Sequence, residues 1–196
     1  MLKRLFDFTI AFIFLIVLSP FFLLTALFIK ADSRGPVFFL QQRVGLNGID
    51  FFIFKFRTMY READKKGLLT IGVRDPRVTK VGYSLRKYKL DEIPQLINVL
   101  IGNMSLVGPR PEVRKYVTLY NQQQLKVLNV KPGITDYASI EYANENELLS
   151  QSNHPEKTYV EEIMPAKLLL NLKYINEKCF VNDLVIIYRT VLKIVS

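Results

Sequence analysis

The chain has 196 residues, 49% of them apolar and 14 of them Phe, with a mean hydropathy of +0.14; that is enough for one core and high for a chain bathed wholly in water. A formal net charge of +9 and a pI near 9.6 suit polyanionic partners: nucleic acid, anionic lipid or nucleotide phosphate. One cysteine, Cys179, and one histidine, His154, exclude a disulfide framework and a Cys/His metal cluster, and Ser-His-Asp chemistry would have to use a histidine set in the polar run SQSNHPEK. Cys179 reads as a packing residue.

Residues 5–29 (LFDFTIAFIFLIVLSPFFLLTALFI) are almost wholly apolar, and Phe8 to Ile29 is 22 residues without a charge, long enough to span a bilayer core. Ser19-Pro20 interrupts the run, and proline removes a backbone hydrogen bond, so a break is expected there. Both flanks are basic (Lys3 and Arg4; Lys30 and Arg34), which places both ends on the cytoplasmic side. The pattern predicts a helix-break-helix that enters and leaves by one leaflet, with Ser19 satisfying a carbonyl freed at the break and Asp7 held among headgroups by Lys3 and Arg4. A straight signal anchor and a buried core helix are the competing readings. Residues 1–30 are therefore assigned as a re-entrant membrane anchor and 31–196 as a cytosolic-face domain.

Beyond Arg34-Gly35-Pro36, the stretches Val37–Arg43 and Phe51–Met59 read as strands joined through Gly45-Leu46-Asn47-Gly48. Phe52, Phe54 and Phe56 alternate with Ile53, Lys55 and Arg57, giving an aromatic face read as core and a face that turns basic. Tyr60–Lys66 is a short charged helix or loop and Gly67–Val81 is irregular. One helix is predicted over Glu112–Val130, a Pro-Gly turn over 131–136, a polar loop over Ala143–Glu156, and helices over Tyr159–Asn176 and Val181–Val195. The last carries the stripe Val181, Leu184, Val185, Tyr188, Val191 and Leu192, expected to pack on the domain, with a membrane surface as the alternative.

The chemistry concentrates in 86–111, RKYKLDEIPQLINVLIGNMSLVGPRP. Asp91 and Glu92 stand at an expected helix start. Ile93, Leu96, Ile97, Leu100 and Ile101 form its buried face, Gln95 and Asn98 fall on its polar side, and Gly102-Asn103 stop it. Free N–H groups at a helix start favour an ionised carboxylate and attract phosphate. An acid pair there is either a capping device or a catalytic dyad. Basic candidates around it are Lys55, Arg57, Arg77, Arg86, Arg110 and Lys131, and arginines grip phosphate oxygens in a fork. Together they suggest phosphate chemistry: one carboxylate holding Mg²⁺, the other able to attack phosphorus.

The motifs LDEIPQLINVLIGNMSLVGPRPE, KFRTM, QQRVG, DPRVTKVG and KPGIT resemble the bacterial sugar transferases, small monotopic polyprenyl-phosphate phosphoglycosyl transferases, in their minimal catalytic form with no transmembrane helices before it. The resemblance implies an α+β fold: a re-entrant helix pair broken at Ser19 and Pro20, then a small, mostly helical catalytic domain with a β-hairpin and amphipathic interfacial helices. It implies that Asp91 attacks the sugar-bearing phosphorus of a UDP-sugar, releases UMP, and passes the phosphosugar to polyprenyl (undecaprenyl) phosphate. Glu92 is implied beside Mg²⁺, Pro109-Arg110-Pro111 at the nucleotide, and Arg86, Lys55 and Arg57 at the family's basic positions; Arg77 and Lys131 stay substrate-binding candidates on their charge and place in the chain. The expected setting is the cytoplasmic face of the bacterial inner membrane, with membrane lipid and downstream glycosyltransferases as partners, room for a homodimer, and no nucleic acid. Many relatives continue KPGIT with Gly-Trp and a later Asn-Gly-Arg-Asn. This chain has Asp136-Tyr137-Ala138-Ser139 and then Asn144-Glu145-Asn146, so Asp136 is read as an added metal carboxylate and the region as the sugar pocket, with Lys167 and Asn171 one turn apart beside it or exposed. The alternatives are a membrane-bound Mg²⁺-dependent phosphatase or nucleotidyl transferase, and a non-catalytic basic protein on membrane or nucleic acid.

Overall fold

A computed structural model describes residues 2–63 and 75–195. Part of the stretch expected to be irregular, and the end of Tyr60–Lys66, lie outside the described residues.

The apolar run forms α1 (Leu2–Val17) and α2 (Ser19–Asp32), bent by 60°. Pro20 lies in the first turn of α2, where its missing N–H costs nothing. Backbone bonds continue on both sides of the bend, Leu18 N to Phe14 O at 2.8 Å and Phe22 N to Leu18 O at 2.9 Å. Ser19 makes no side-chain hydrogen bond among the described residues, so the bend needs no hydroxyl to repair it. No single described helix is long and apolar enough to cross a membrane; the bent pair passes that test only together. The two helices leave Phe8, Phe12, Ile16, Leu23, Leu27 and Phe28 exposed, far more apolar surface than a water-facing chain keeps.

The opposite side of α1 is part of the protein core. Ala11 packs with Leu96, Val99, Met104, Tyr174 and Ile186. Asp7 is buried and accepts from Ser105 Oγ at 2.7 Å and Leu106 N at 3.3 Å. Arg4 donates to Val99 O and Leu100 O, while Lys3 reaches Asp183 at 2.6 Å and Val107 O at 3.0 Å. The expected Asp7–Lys3–Arg4 headgroup cluster is thus replaced by three separate ties from α1 to the domain.

The hairpin forms as expected, with β1 (Phe38–Val44) antiparallel to β2 (Asp50–Phe56) and Phe39 opposite Lys55. Its turn takes positive φ at Asn47 (54°) and Gly48 (75°), residues that tolerate it. The aromatic face is core only at its end: Phe56 packs on Phe21, Phe22, Ile29 and Leu85, whereas Phe52 is 54% exposed. Helix α3 (Lys80–Lys87) is capped by Thr79, whose hydroxyl accepts from Gly82 N at 3.0 Å.

Helix α4 (Gln95–Ile101) stops at Gly102, φ 96°, as the sequence suggests. Its faces differ from the expected ones: Gln95 and Asn98 are buried and Ile101 is 58% exposed. Asn98 explains this by binding the open edge of β2, accepting from Phe54 N at 2.9 Å and donating to Phe52 O at 2.7 Å.

A parallel pair, β3 (Ser105–Val107) with β4 (Gly133–Thr135), was not foreseen. Gly108 and Gly133 make it possible: a Cβ on Gly133 would lie 2.1 Å from Gly108 N. The helix expected over Glu112–Val130 is broken into α5 (Arg114–Val117) and a 3₁₀ run Gln124–Asn129, because the Asn121 side chain accepts from Gln123 N and Gln124 N (3.0 and 2.9 Å) and restarts the chain.

Short helices α6 (Tyr137–Glu141), α7 (Glu145–Ser150) and α8 (Pro155–Thr158) follow, and α7 corrects the expected loop by burying Leu149. A π-helical turn (Tyr159–Ile163) leads into α9 (Met164–Glu177), where Pro165 cannot donate to the ladder. In α10 (Phe180–Val195) Asp183 and Ile186 face the domain, while Val181, Tyr188 and Val191 are 65%, 64% and 54% exposed. The apolar stripe expected to pack is therefore the outward one. Cys179, expected in packing, is exposed.

Candidate active site

The acid pair sits one step before the α4 helix. Lys89 takes a left-handed conformation (φ 57°), Leu90–Glu92 form a 3₁₀ turn, and Pro94 caps α4. A left-handed non-glycine costs about 1 kcal/mol or more and clusters at functional sites. The turn sends the two carboxylates into different surroundings.

Glu92 is fully engaged. Lys55 Nζ, from β2, donates to Oε1 at 2.8 Å; Arg110, from the turn after β3, donates Nη1 to Oε2 at 2.9 Å and Nη2 to Oε1. This is a forked pair with a second cation added. Burial alone would raise the Glu92 pKa, but Arg110 and then Lys55 outweigh it and hold the carboxyl well below its usual range. In return Glu92 raises Arg110, while enclosure lowers Lys55 in spite of its partner.

Asp91 is 8% exposed, and its carboxylate accepts no hydrogen bond among the described residues. Burial first, and repulsion from Glu92 second, push its pKa up; Lys55, Arg86 and Lys89 offset part of this. Desolvation thus works against the help that a helix start is expected to give in holding Asp91 ionised. Both acids line a cavity of about 1000 Å³ that extends to Arg43, Arg86, Tyr142, Lys167 and Asn171.

A family model described as bacterial sugar transferase matches residues 1–196. The chain belongs to the bacterial sugar transferase family. It is 47% identical over 143 residues to the sugar transferase EpsL of Bacillus subtilis (strain 168), covering 73% of this chain and 70% of that one. It is 37% identical over 201 residues to the UDP-glucose:undecaprenyl-phosphate glucose-1-phosphate transferase of Escherichia coli (strain K12), covering 98% of this chain and 40% of that protein. It is 34% identical over 204 residues to the exopolysaccharide production protein ExoY of Sinorhizobium fredii, covering 96% and 83%. The chain therefore spans well under half the length of the Escherichia coli transferase it matches.

Within this sugar transferase chain, the residues expected at the site divide into three groups. Lys55, Arg86, Arg110 and Pro111 line the cavity with the acids, and Arg86 makes no hydrogen bond or ion pair among the described residues. Pro109 holds the turn's backbone, its carbonyl accepting from Gly133 N at 3.0 Å. Arg77 also lines the cavity but binds Asp75 at 2.6 Å.

Three others serve the fold instead. Arg57 also lines the cavity, but it is 5% exposed and its two Nη groups donate to the carbonyls of Ile29, Ser33 and Arg34 at the C-terminal end of α2, while its buried Nε has no partner among the described residues. Lys131 lies with Arg4 at Gly102, at the far end of α4 from the acids. Asp136 is fully buried, does not line the cavity, and accepts from Arg110 N at 3.1 Å and from Ser139 N at 2.6 Å at the start of α6, so it orders backbone and lies apart from any metal bound with the substrate.

The sequence reading missed Glu112. Its carboxylate accepts from Arg43 at 3.0 Å and from the Tyr159 hydroxyl, and Arg43 also donates to Pro111 O at 3.1 Å. This network stiffens the turn from which Arg110 reaches Glu92. The Glu next to Pro-Arg-Pro was its only sequence signal. His154 is exposed at the start of α8 and does not line the cavity.

Among the described residues, no three His, Cys, Asp or Glu side chains gather to hold a metal ion. The two carboxylates present are hard oxygen donors, and one or two carboxylates plus substrate phosphates is the set Mg²⁺ accepts. A Mg²⁺ bound together with a phosphorylated substrate would find Asp91 without a hydrogen bond among the described residues and Glu92 only in exchange for part of its contact with Lys55 and Arg110.

Proposed function

We propose that this protein transfers a sugar 1-phosphate from a UDP-sugar to polyprenyl (undecaprenyl) phosphate through a phosphosugar carried on Asp91. The observation that carries the reading is the division of the acid pair. Glu92 is neutralised by two cations, whereas Asp91 opens on the cavity without a partner and with a raised pKa. A carboxylate with little hydrogen bonding and a raised pKa is a better nucleophile once ionised. The named activities of the relatives, glucose 1-phosphate transfer to undecaprenyl phosphate and exopolysaccharide production, support the substrate classes.

In the first step an Asp91 carboxylate oxygen attacks the sugar-bearing phosphorus, and the bond to the UMP phosphate oxygen breaks, releasing UMP. In the second, a polyprenyl phosphate oxygen attacks the same phosphorus, and the bond to Asp91 breaks, restoring the carboxylate. Arg110 and Lys55 steady Glu92, and Arg86 supplies an unpaired cation at the cavity wall for substrate phosphate. Glu92 would hold Mg²⁺ with the donor's phosphates in exchange for part of its contact with Lys55 and Arg110, and the ion would supply charge neutralisation at the diphosphate. The polyprenyl-diphosphate sugar is then a substrate for further glycosyltransferases.

The bent α1–α2 pair supports a re-entrant anchor in the cytoplasmic leaflet of a bacterial inner membrane, with the exposed stripe of α10 lying on the headgroup layer. A soluble nucleotide and a membrane-held phosphate then meet at one cavity. In a Cys179→Ser background, cysteines placed at Lys3 and Lys30 should both label from the cytoplasmic side; labelling from opposite sides would mean a span.

The reaction is tested by UMP release over a panel of UDP-sugars with Mg²⁺ and polyprenyl phosphate. Asp91→Asn should lose turnover, and intact mass should find a phosphosugar adduct on the wild type without lipid but none on the variant. Undiminished release by the variant would remove Asp91 as the nucleophile. Sugar 1-phosphate appearing free, with no lipid product, would favour a phosphatase-like enzyme.

A further inference from the structure

Beyond the acid pair, α6, α7 and α9 line the same cavity with Ser139, Glu145, Lys167 and Asn171. Lys167 donates to Glu145 Oε2 at 2.6 Å, their side chains 14% and 24% exposed, so the two charges on this wall cancel. Asn171 follows Lys167 by one helical turn on the same face of α9. It is 5% exposed, its side chain makes no hydrogen bond among the described residues, and its Oδ1 is fully buried. Ser139 Oγ is likewise buried without a partner.

Buried polar atoms are almost always paired, and each unpaired one costs stability. Both atoms belong to side chains that line one cavity wall. The wall is also tied to the reacting end. The buried Asp136 carboxylate accepts from Arg110 N at 3.1 Å and from Ser139 N at 2.6 Å, so one side chain sets the backbone of both. Glu145 in turn acts electrostatically on Arg110.

We infer that Asn171 and Ser139, with the Glu145–Lys167 pair beside them, form the subsite that reads the hydroxyls of a neutral hexose on the donor. This rests on the proposed transfer reaction. An amide offers a donor and an acceptor, a hydroxyl offers either, and a sugar hydroxyl needs both. A charge-matched wall suits hydroxyls and not the carboxylate of a uronic acid. Discrimination follows because a mismatched hydroxyl leaves buried groups unpaired.

The test uses the full chain in detergent or nanodiscs. Calorimetry in an Asp91→Asn background compares UDP with UDP-glucose, UDP-galactose, UDP-N-acetylglucosamine and UDP-glucuronate; UMP release is measured with Asp91 intact. A hexose donor should bind more tightly than UDP and be told from its epimer. Asn171→Leu and Ser139→Ala should each cut that discrimination about tenfold, with affinity for UDP unchanged. Because Asn171→Leu breaks no bond in the free protein, its Tm should hold or rise, which a structural asparagine would not allow. Unchanged discrimination in both variants would overturn the assignment, as would a falling Tm with an unchanged ratio, the mark of two atoms bridged by buried water. So would a wild type that prefers UDP-glucuronate, or one that binds no UDP-sugar better than UDP. Epimer-selective binding that the variants abolish, with no UMP release from the wild type, would keep the subsite and remove the reaction.

Discussion

Replacing Lys55 by Met removes the ammonium that donates to Glu92 at 2.8 Å while keeping most of the side chain's volume; the two side chains are 15% and 17% exposed. A charge-assisted hydrogen bond in so enclosed a place is worth about 1.5–3 kcal/mol. Arg110 still holds Glu92 in the variant, and loss of the buried ammonium relieves a desolvation cost that lowers the Lys55 pKa, so the net loss stays at or below the low end of that range, about 1.5 kcal/mol, and far from the roughly 3–5 kcal/mol of a fully stripped buried pair. At about 2–4 °C per kcal/mol for a chain of this length, Tm should fall by roughly 3–6 °C at neutral pH. The pH dependence gives the sharper test. A carboxyl whose folded pKa lies below its unfolded value of 4.5 contributes stability that is present above pH 4.5 and lost as pH falls through the folded value. Lys55 acts through Glu92, so the gap between wild type and Lys55→Met should close as pH drops below 4.5. Asp91 has the opposite sign: its raised pKa penalises the folded state at neutral pH, and removing Lys55 deepens that penalty, widening the gap at pH 7. Thermal unfolding followed by tyrosine fluorescence, at pH 7 and at about pH 4, measures both. An unchanged Tm at neutral pH, or a gap that persists in acid, would refute this account of how Glu92 is held.

Two further outcomes follow from the site. Asp91 must be ionised to attack, so the acid limb of kcat/KM for UMP release should lie above the ordinary aspartate value of 3.8, and Lys55→Met should move it further up; a limb that does not move would assign it to another group. Lys131→Ala should leave UMP release within about twofold of wild type, since Lys131 lies at the opposite end of α4; a large rise in donor KM would return it to the substrate.

The acid pair, the Pro-Arg-Pro turn and the broken apolar run were legible because each is local. Pro20 fits best in the first turn of a helix and so marks where α2 begins, and Gly102 stops α4 with no help from the rest of the chain. The faces of α4 and α10 were not legible. Asn98 reads as solvent-facing by periodicity, yet its amide is drawn inward to the unpaired edge of β2, which only the fold brings there. The stripe of α10 reads as a packing face, yet Asp183 packs inward instead, because Lys3 and Tyr174 meet it at 2.6 and 2.8 Å. The basic residues were hardest to sort, since a guanidinium that binds phosphate and one that closes a helix end look alike in sequence. Arg110 and Arg57 differ in what the fold sets before them, Glu92 in one case and three carbonyls at and just past the end of α2 in the other.

What the sequence by itself determined is therefore the inventory: an apolar run with a break, two adjacent carboxylates, and more cations than acids. These follow from composition, spacing and the conformational limits of proline and glycine, which act within a few residues. What only the tertiary structure decided is how the pair divides. Lys55 and Arg110 lie 37 and 18 residues from Glu92 and still converge on it, leaving Asp91 buried beside the cavity without a partner. Burial and long-range charge set that asymmetry, and neither exists until the chain is packed.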